Sequence, residues 1–291
     1  MPLDIYMSGV QVLKKQNMLK NIKAIFILLF SFQTCWSYAQ GREYRLVWSD
    51  EFNGSESLDT TKWNYEWGYV RNHEQQYYQS DNARVHDGML TITVRRDSSS
   101  QGVRYTSASI NTRGKYEFLY GRLEVRARIP HAKGVWPAIW TLGSTWEWPS
   151  CGEIDVMEYY HKQGIPYILA NYAHGTDQRW KAAWNSKAIP YAHFLERDPY
   201  FTDRFHIWRL DWTPDSITIW LDGEKLNQTG IAETVNGKLG EHKSPFTTPQ
   251  YILLNLALGG DNGGPIDNDA LPACYDIDWV RVYQPVEETS R

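Results

Sequence analysis

The segment Cys151-Gly152-Glu153-Ile154-Asp155-Val156-Met157-Glu158-Tyr159-Tyr160 carries three carboxylic acids close together. Side chains of a regular strand alternate between its two faces. Glu153 and Asp155 therefore share a face, and the next position on it is Met157 rather than Glu158. One extra residue repairs the parity. A β-bulge between Asp155 and Glu158 puts all three acids on one face and turns Ile154, with one of Val156 or Met157, to the core. Clustered carboxylates repel and raise at least one pKa, a cost that folds retain mainly where chemistry uses it. Two carboxyls about 5–5.5 Å apart suit glycosidic bond cleavage with retention, one as nucleophile and the other as general acid and then base. A solvated acidic strand face or a cation site would use the same residue types, so spacing alone leaves these readings level.

The neighbours shift the balance toward a sugar cleft. In Gly134–Leu142, alternation puts Trp136, Ala138 and Trp140 on one face, and Trp146 and Trp148 follow just before Glu153. The apolar C–H faces of sugars stack on such rings. The plainer alternative is a Trp-rich core, and at least one of the four is expected to be only that.

These residues need a rigid frame, and the rest of the chain supplies strands. Apolar residues recur at spacing two in Met89–Val94, Lys115–Ile129, Phe205–Trp212, Ser216–Leu221 and Tyr275–Tyr283, which predicts strands. Asp87-Gly88, Thr213-Pro214-Asp215, Asp222-Gly223 and the run Gly259–Pro265 read as turns. No segment has a convincing amphipathic helical pattern, and Tyr172–Phe201 reads as long loops near a mouth or an edge. The expected class is all-β, a sandwich or jelly roll of two antiparallel sheets. Of the 291 residues 14% are aromatic and 42% hydrophobic, enough for a sizeable core and far from a disordered composition. A formal net charge of −4 gives no footprint for nucleic acid, and a mean hydropathy of −0.55 argues against a multi-span membrane protein.

The N-terminal part has a separate reading. Met18–Ala39 shows Lys20 and Lys23, an apolar run from Ala24 to Phe32, and small residues at Ser37 and Ala39, the three regions of a secretory signal peptide. The run is too short to span a bilayer stably. Residues 1–39 are thus expected to be an N-terminal extension plus signal peptide, and 40–291 a single domain, secreted or periplasmic. Lipidation at Cys35 is the weaker alternative. Export permits a disulfide between Cys151 and Cys274, although two buried thiols are the simpler expectation.

The chain resembles glycoside hydrolase family 16, in its laminarinase-like branch. The resemblance rests on Val47-Trp-Ser-Asp-Glu-Phe52, Thr106-Ser-Ala108, Tyr120-Gly-Arg-Leu-Glu124, Trp136-Pro-Ala-Ile-Trp140, Gly152-Glu-Ile-Asp-Val-Met-Glu158 and Asp276-Ile-Asp-Trp-Val-Arg-Val-Tyr283. It implies a jelly-roll sandwich with a concave cleft. It implies Glu153 as nucleophile, Glu158 as general acid/base and Asp155 as the acid that holds the nucleophile in register. Val70-Arg-Asn-His-Glu-Gln-Gln-Tyr77 is similar to a family segment lining the donor side, with Asn72 and Glu74 as polar contacts beside Trp136, Trp140, Trp146 and Trp148. No organic cofactor is implied. A structural Ca²⁺ would use the backbone of Glu51 and Gly88 with the side chain of Asp278, since hard oxygen donors suit that ion. The default activity is endo-hydrolysis, with retention, of a β-1,3- or mixed-linkage glucan. Glucan-cleaving relatives follow the carboxylate strand with a Thr-Val-His segment, which Tyr167-Ile-Leu-Ala-Asn-Tyr-Ala-His174 does not match. That departure keeps open an endo-β-galactosidase acting on an algal galactan or a mucin- or keratan-type glycan. A jelly roll that only binds carbohydrate is the third reading, and the intact acids speak against it. Arg71 and Arg179 would suit an anionic glycan if they lie in the cleft, though surface positions are favoured.

Overall fold

The computed structural model describes residues 43–286, apart from 55, 99–101 and 103. The expected leader at 1–39, with Cys35, lies outside the described residues. In chain order the strands are β1 (Tyr44–Asp50), β2 (Asn64–Tyr65), β3 (Gln76–Tyr78), β4 (Ala83–His86), β5 (Met89–Arg96), β6 (Tyr105–Ser107), β7 (Ser109–Asn111), β8 (Gly121–Arg128) and β9 (Val135–Gly143). They continue as β10 (Glu153–Lys162), β11 (Ile165–Gly175), β12 (Ala182–Pro190), β13 (His206–Trp212), β14 (Ser216–Leu221), β15 (Glu224–Gly230), β16 (Gln250–Leu258) and β17 (Ala273–Pro285). Two short α-helices, α1 (Tyr191–Arg197) and α2 (Gly260–Gly263), lie among them.

The strands form two sheets. One has ten strands along the path β15-β14-β13-β8-β17-β5-β6-β3, with β1 on β17 and β4 on β5; the other has seven, in the order β12-β11-β10-β9-β16-β7-β2. Pairing within the two strand paths is antiparallel except between β3 and β6, which run parallel. This is the all-β jelly-roll sandwich expected from the sequence. The main body spans Arg45–Gln284. Of the described residues outside it, Val286 donates its N–H to the Glu43 carbonyl at 2.8 Å.

Binary patterning explains the sandwich. In β8, Gly121-Arg-Leu-Glu-Val-Arg-Ala-Arg128 alternates strictly, with Leu123, Val125 and Ala127 fully buried and the charged residues between them half-exposed. Burying each large apolar side chain is worth about 1.5–3 kcal/mol. Strands β9, β10 and β16 differ because both their faces are covered. One face joins the main core through Ile139, Ile154, Ile252 and Leu254, and the other floors a cleft through Ala138, Trp140, Asp155 and Asn255.

Two expectations need correction. Lys115–Tyr120 does not begin a strand: Lys115 and Tyr116 turn back onto the Thr112 carbonyl, and Tyr120 has φ 59° before Gly121 at φ 115°. Tyr172–Phe201 is not loop; it holds the end of β11, all of β12 and helix α1. Strand β12 is an edge strand with no fully buried residue, so it lacks the apolar alternation that marks half-buried strands. Helix α1, with Tyr191 and Phe194 buried, has seven residues, too few to display a helical period. Cys151 is buried, Cys274 is exposed, and both are free thiols.

Candidate active site

Strand β10 carries the three acids, and it is bulged. Against β11 the register runs Asp155↔Asn171 and then Glu158↔Leu169; against β9 it shifts between Asp155 and Met157. Ile154, Val156, Met157 and Tyr159 all enter the main core, so both residues of the bulge face inward rather than one. Glu153, Asp155 and Glu158 emerge together on the opposite face, lining a cleft of about 620 Å³.

Each acid has dedicated partners. Trp148 Nε1 donates to Glu153 Oε2 at 2.6 Å, and Trp136 Nε1 donates to Glu158 Oε1 at 2.7 Å. Asn171 Nδ2 bridges the other two, reaching Glu158 Oε2 at 2.7 Å and Asp155 Oδ2 at 3.2 Å. Burial in the cleft floor disfavours the charged forms. It pushes Glu158 up to about 7, against the pull of Trp136 and Asn171, with the charge of Glu153 adding to the rise. Burial also lifts Glu153, which is held back by Trp148, by Asp155 and by the charge of Arg71. Asp155 rises furthest, through burial and then the charges of Glu158 and Glu153, and its hydrogen bond to Glu153 favours its protonated form. The hydrogen bond between the two favours a proton on Asp155 and the charged form of Glu153. Glu158, pushed up to about 7, suits the acid role, and Glu153, whose charged form Trp148, Asp155 and Arg71 favour against burial, suits the nucleophile, the pairing that double displacement at a glycosidic bond requires.

The cleft crosses the strands. On one side of the acids Trp136, Ala138 and Trp140 of β9, Asn255 of β16, and Asn72 and Glu74 line it; on the other lie Asn171 of β11 with Trp184 and Ser186 of β12. Glu74 is buried and accepts from Gln76 at 2.8 Å, Tyr78 at 2.9 Å and Asn72 at 3.2 Å. Through Tyr78 and Asn255 this network reaches Trp140, whose Nε1 donates to Asn255 at 2.7 Å. Glu74 thus fixes Asn72 and the Trp140 ring more than it offers a free carboxylate.

Trp136, Trp140, Trp148, Asn72 and Glu74 come together as expected, and Trp136 and Trp140 do so although only 6% and 7% exposed. Trp146 does not join them. It is half-buried and hydrogen-bonds Glu241, because Thr145–Pro149 is a turn rather than a strand, so alternation does not carry into it. Arg71, favoured as a surface residue, lines the cleft instead. It pairs with both oxygens of Glu66 at 2.5 Å and lies 5.1 Å from the Trp140 ring centroid. Arg179 is exposed and pairs with Glu147. Asn171, Asn255, Trp184 and Ser186 escaped the sequence reading, since only strand pairing brings them to the acids.

Of the donors named for calcium, two are backbone groups, of Glu51 and Gly88, and one is the Asp278 side chain. The Glu51 carboxylate accepts from Arg281 at 2.9 and 2.7 Å, and Asp278 is paired with Arg126. Gly88 sits in the β4–β5 turn with φ 74°. Among the described residues no cluster of three or more His, Cys, Asp or Glu side chains is placed to hold a metal.

Paired buried carboxyls in an aromatic-lined cleft on a jelly-roll sandwich mark the class of hydrolases that cleave bonds between sugars. The chain belongs to the glycosyl hydrolases family 16, whose sequence model matches residues 51–281. It is a glycoside hydrolase acting on O-glycosyl bonds. It is 38% identical to a beta-glucanase of Rhodothermus marinus over 84% of this chain and 86% of that protein. The X-ray structure of the laminarinase from Rhodothermus marinus superposes with a TM-score of 0.73 at 34% identity, covering 84% of this chain and 99% of that one. A keratan-sulfate endo-1,4-beta-galactosidase of Sphingobacterium multivorum is 30% identical over 83% of this chain and 56% of its own length.

Proposed function

We propose that the protein is an exported, endo-acting, retaining β-glycosidase whose default substrate is a β-1,3- or mixed-linkage glucan. The observation that carries the endo reading is the cleft itself, which continues over β9 on one side of the acids and over β12 on the other. A chain crossing it is cut internally. Glu153 is the nucleophile, Glu158 the general acid and then base, and Asp155 the proton-bearing partner that orients Glu153. Glu158 protonates the glycosidic oxygen as Glu153 attacks the anomeric carbon, and it then takes a proton from the water that releases the glycosyl-enzyme. The glucan preference is supported by the beta-glucanase and laminarinase relatives. Export is supported by the Met18–Ala39 pattern, and among the described residues no helix is long and apolar enough to cross a membrane.

A second substrate reading is an endo-β-galactosidase on an algal galactan or a keratan- or mucin-type glycan. It is favoured by the segment Tyr167–Trp184, which departs from the glucan-cleaving pattern and supplies the β11–β12 wall of the cleft, and by the keratan-sulfate relative. A structural calcium ion on the Glu51 and Gly88 backbone would have to take the Asp278 carboxylate from Arg126; melting curves with calcium chloride and with EDTA test it, and superimposable curves remove it.

The deciding experiment is digestion of laminarin, mixed-linkage glucan, agarose, porphyran, keratan and mucin glycans, with product sizing, by wild type and Glu153→Gln. Oligosaccharides released from a glucan by wild type alone support the default reading. Release only from a galactose-containing glycan selects the second. Hydrolysis by Glu153→Gln at a near-normal rate would sink the nucleophile assignment.

A further inference from the structure

Trp184 lines the cleft yet is half exposed, and no partner among the acids explains it. Its position follows from register. Glu153 on β10 lies opposite Ala173 on β11, and Ala173 lies opposite Trp184 on β12. Trp184 therefore stands in the same cross-strand row as Glu153, two strands away, about 10 Å from it along the hydrogen-bonding direction.

The strand and ladder neighbours of Trp184 on that face are small. Its neighbour across the ladder is Ala173, and the residues two positions away on its own strand, sharing its face, are Ala182 and Ser186. No large side chain of this row or strand covers the indole, so the ring does not complete a core cluster. A large exposed aromatic on an edge strand is a liability, because such edges invite pairing with other chains. The opposite flank of the cleft shows what aromatic rings do here, with Trp136 and Trp140 set into the floor beside the acids. Between the two flanks the cleft is lined by Glu153, Asp155 and Asn171, so the acids and Trp184 share one continuous cleft.

We propose that Trp184 is a stacking platform for the apolar face of a pyranose ring, holding the substrate chain on the β12 side of the cleavage point. The platform rests on the endo-glycosidase reading above and adds to it a binding position beyond the sugars that flank the broken bond. A substrate too short to reach β12 gains nothing from it. A platform contacts the chain equally before and during reaction, so its loss raises KM and leaves kcat unchanged.

The test compares wild type, Trp184→Ala, Trp184→Phe and Glu153→Gln on laminarin, mixed-linkage glucan, agarose and keratan, and on oligosaccharides of graded length from whichever is cut. Covering some 50 Å² of ring at ~25 cal/mol per Å² corresponds to about tenfold in affinity. The expected result is about a tenfold rise in KM on the polymer for Trp184→Ala, with kcat and Tm unchanged. Trp184→Phe recovers most of the loss, and the difference vanishes on the shortest oligosaccharides that are still cut. A Trp184→Ala enzyme with wild-type KM on the polymer overturns the platform, as does a loss that is equal at every chain length. Hydrolysis persisting in Glu153→Gln overturns the nucleophile assignment instead, and failure of wild type to cut any of the glycans overturns the endo-glycosidase reading, so the failures are told apart by which enzyme produces them.

Discussion

Trp136→Phe is expected to move the alkaline limb of the pH–rate profile upward. Trp136 Nε1 donates to Glu158 Oε1 at 2.7 Å in a buried site, and that bond favours the ionised carboxylate. Phe keeps an aromatic ring there and removes the donor. The sign is fixed: losing a donor to the charged form disfavours that form, so the pKa of Glu158 rises. A hydrogen bond to a charged group is worth about 1.5–3 kcal/mol, and 1.36 kcal/mol corresponds to one pKa unit, so the rise is roughly one to two units. Glu158 begins at about 7, and it must be protonated to act as the acid. In wild type kcat/KM therefore declines above about pH 7, and in the variant the decline starts roughly one to two units higher. The assay is kcat/KM from pH 4 to pH 10 at constant ionic strength, on whichever panel glycan is cut. The limb belongs to the coupled acids as a set, so its midpoint is compared between variants rather than assigned in isolation. A limb that stays in place, or moves to lower pH, refutes either Glu158 as the acid or Trp136 as the group that holds its pKa down.

Two further outcomes follow from the same geometry. With Asp155 protonated and donating to Glu153 while accepting from Asn171, an amide reproduces both bonds; Asp155→Asn should lose clearly less kcat than Asp155→Ala, and equal losses in the two variants would contradict a proton resident on Asp155. Gly152 has φ 79°, and a Cβ there would lie 2.7 Å from Pro245 Cβ, so Gly152→Ala should cost roughly 1–3 kcal/mol and lower Tm by several degrees; an unchanged melting curve would show that the approach to β10 relaxes freely.

What the sequence reveals tracks how local the cause is. Strict alternation in β8 and the Asp87-Gly88 turn are set by residues adjacent in the chain, and they are where the pattern puts them. The bulge is legible because three acids on one face demand it, although parity alone cannot tell that Val156 and Met157 both turn inward. Strand β12 is hidden because an edge strand has no buried face to write a pattern. Asn171 and Trp184 are hidden for another reason: each acts across a strand pairing, Asn171 opposite Asp155 and Trp184 opposite Ala173, and sequence spacing does not encode which strands are neighbours. Trp146 misleads because the turn that carries it sets no alternation, so that Trp148 reaches Glu153 while Trp146 bonds Glu241.

The bulge can be regarded as a phase slip in a two-residue repeat. Before it, odd positions 153 and 155 face the cleft; after it, even positions 158 and 160 do, and Tyr160 indeed lines the same wall. Like a dislocation in a crystal row, it takes up one surplus unit, and pairing with β11 continues on both sides of it with the register moved by one residue. The carboxylate strand can therefore differ by one residue in length at this point and still present every downstream side chain to the correct face. Elsewhere in the sheet the same insertion would turn the strand inside out. The spot where the acids are set is thus also where the strand best tolerates a change in its count.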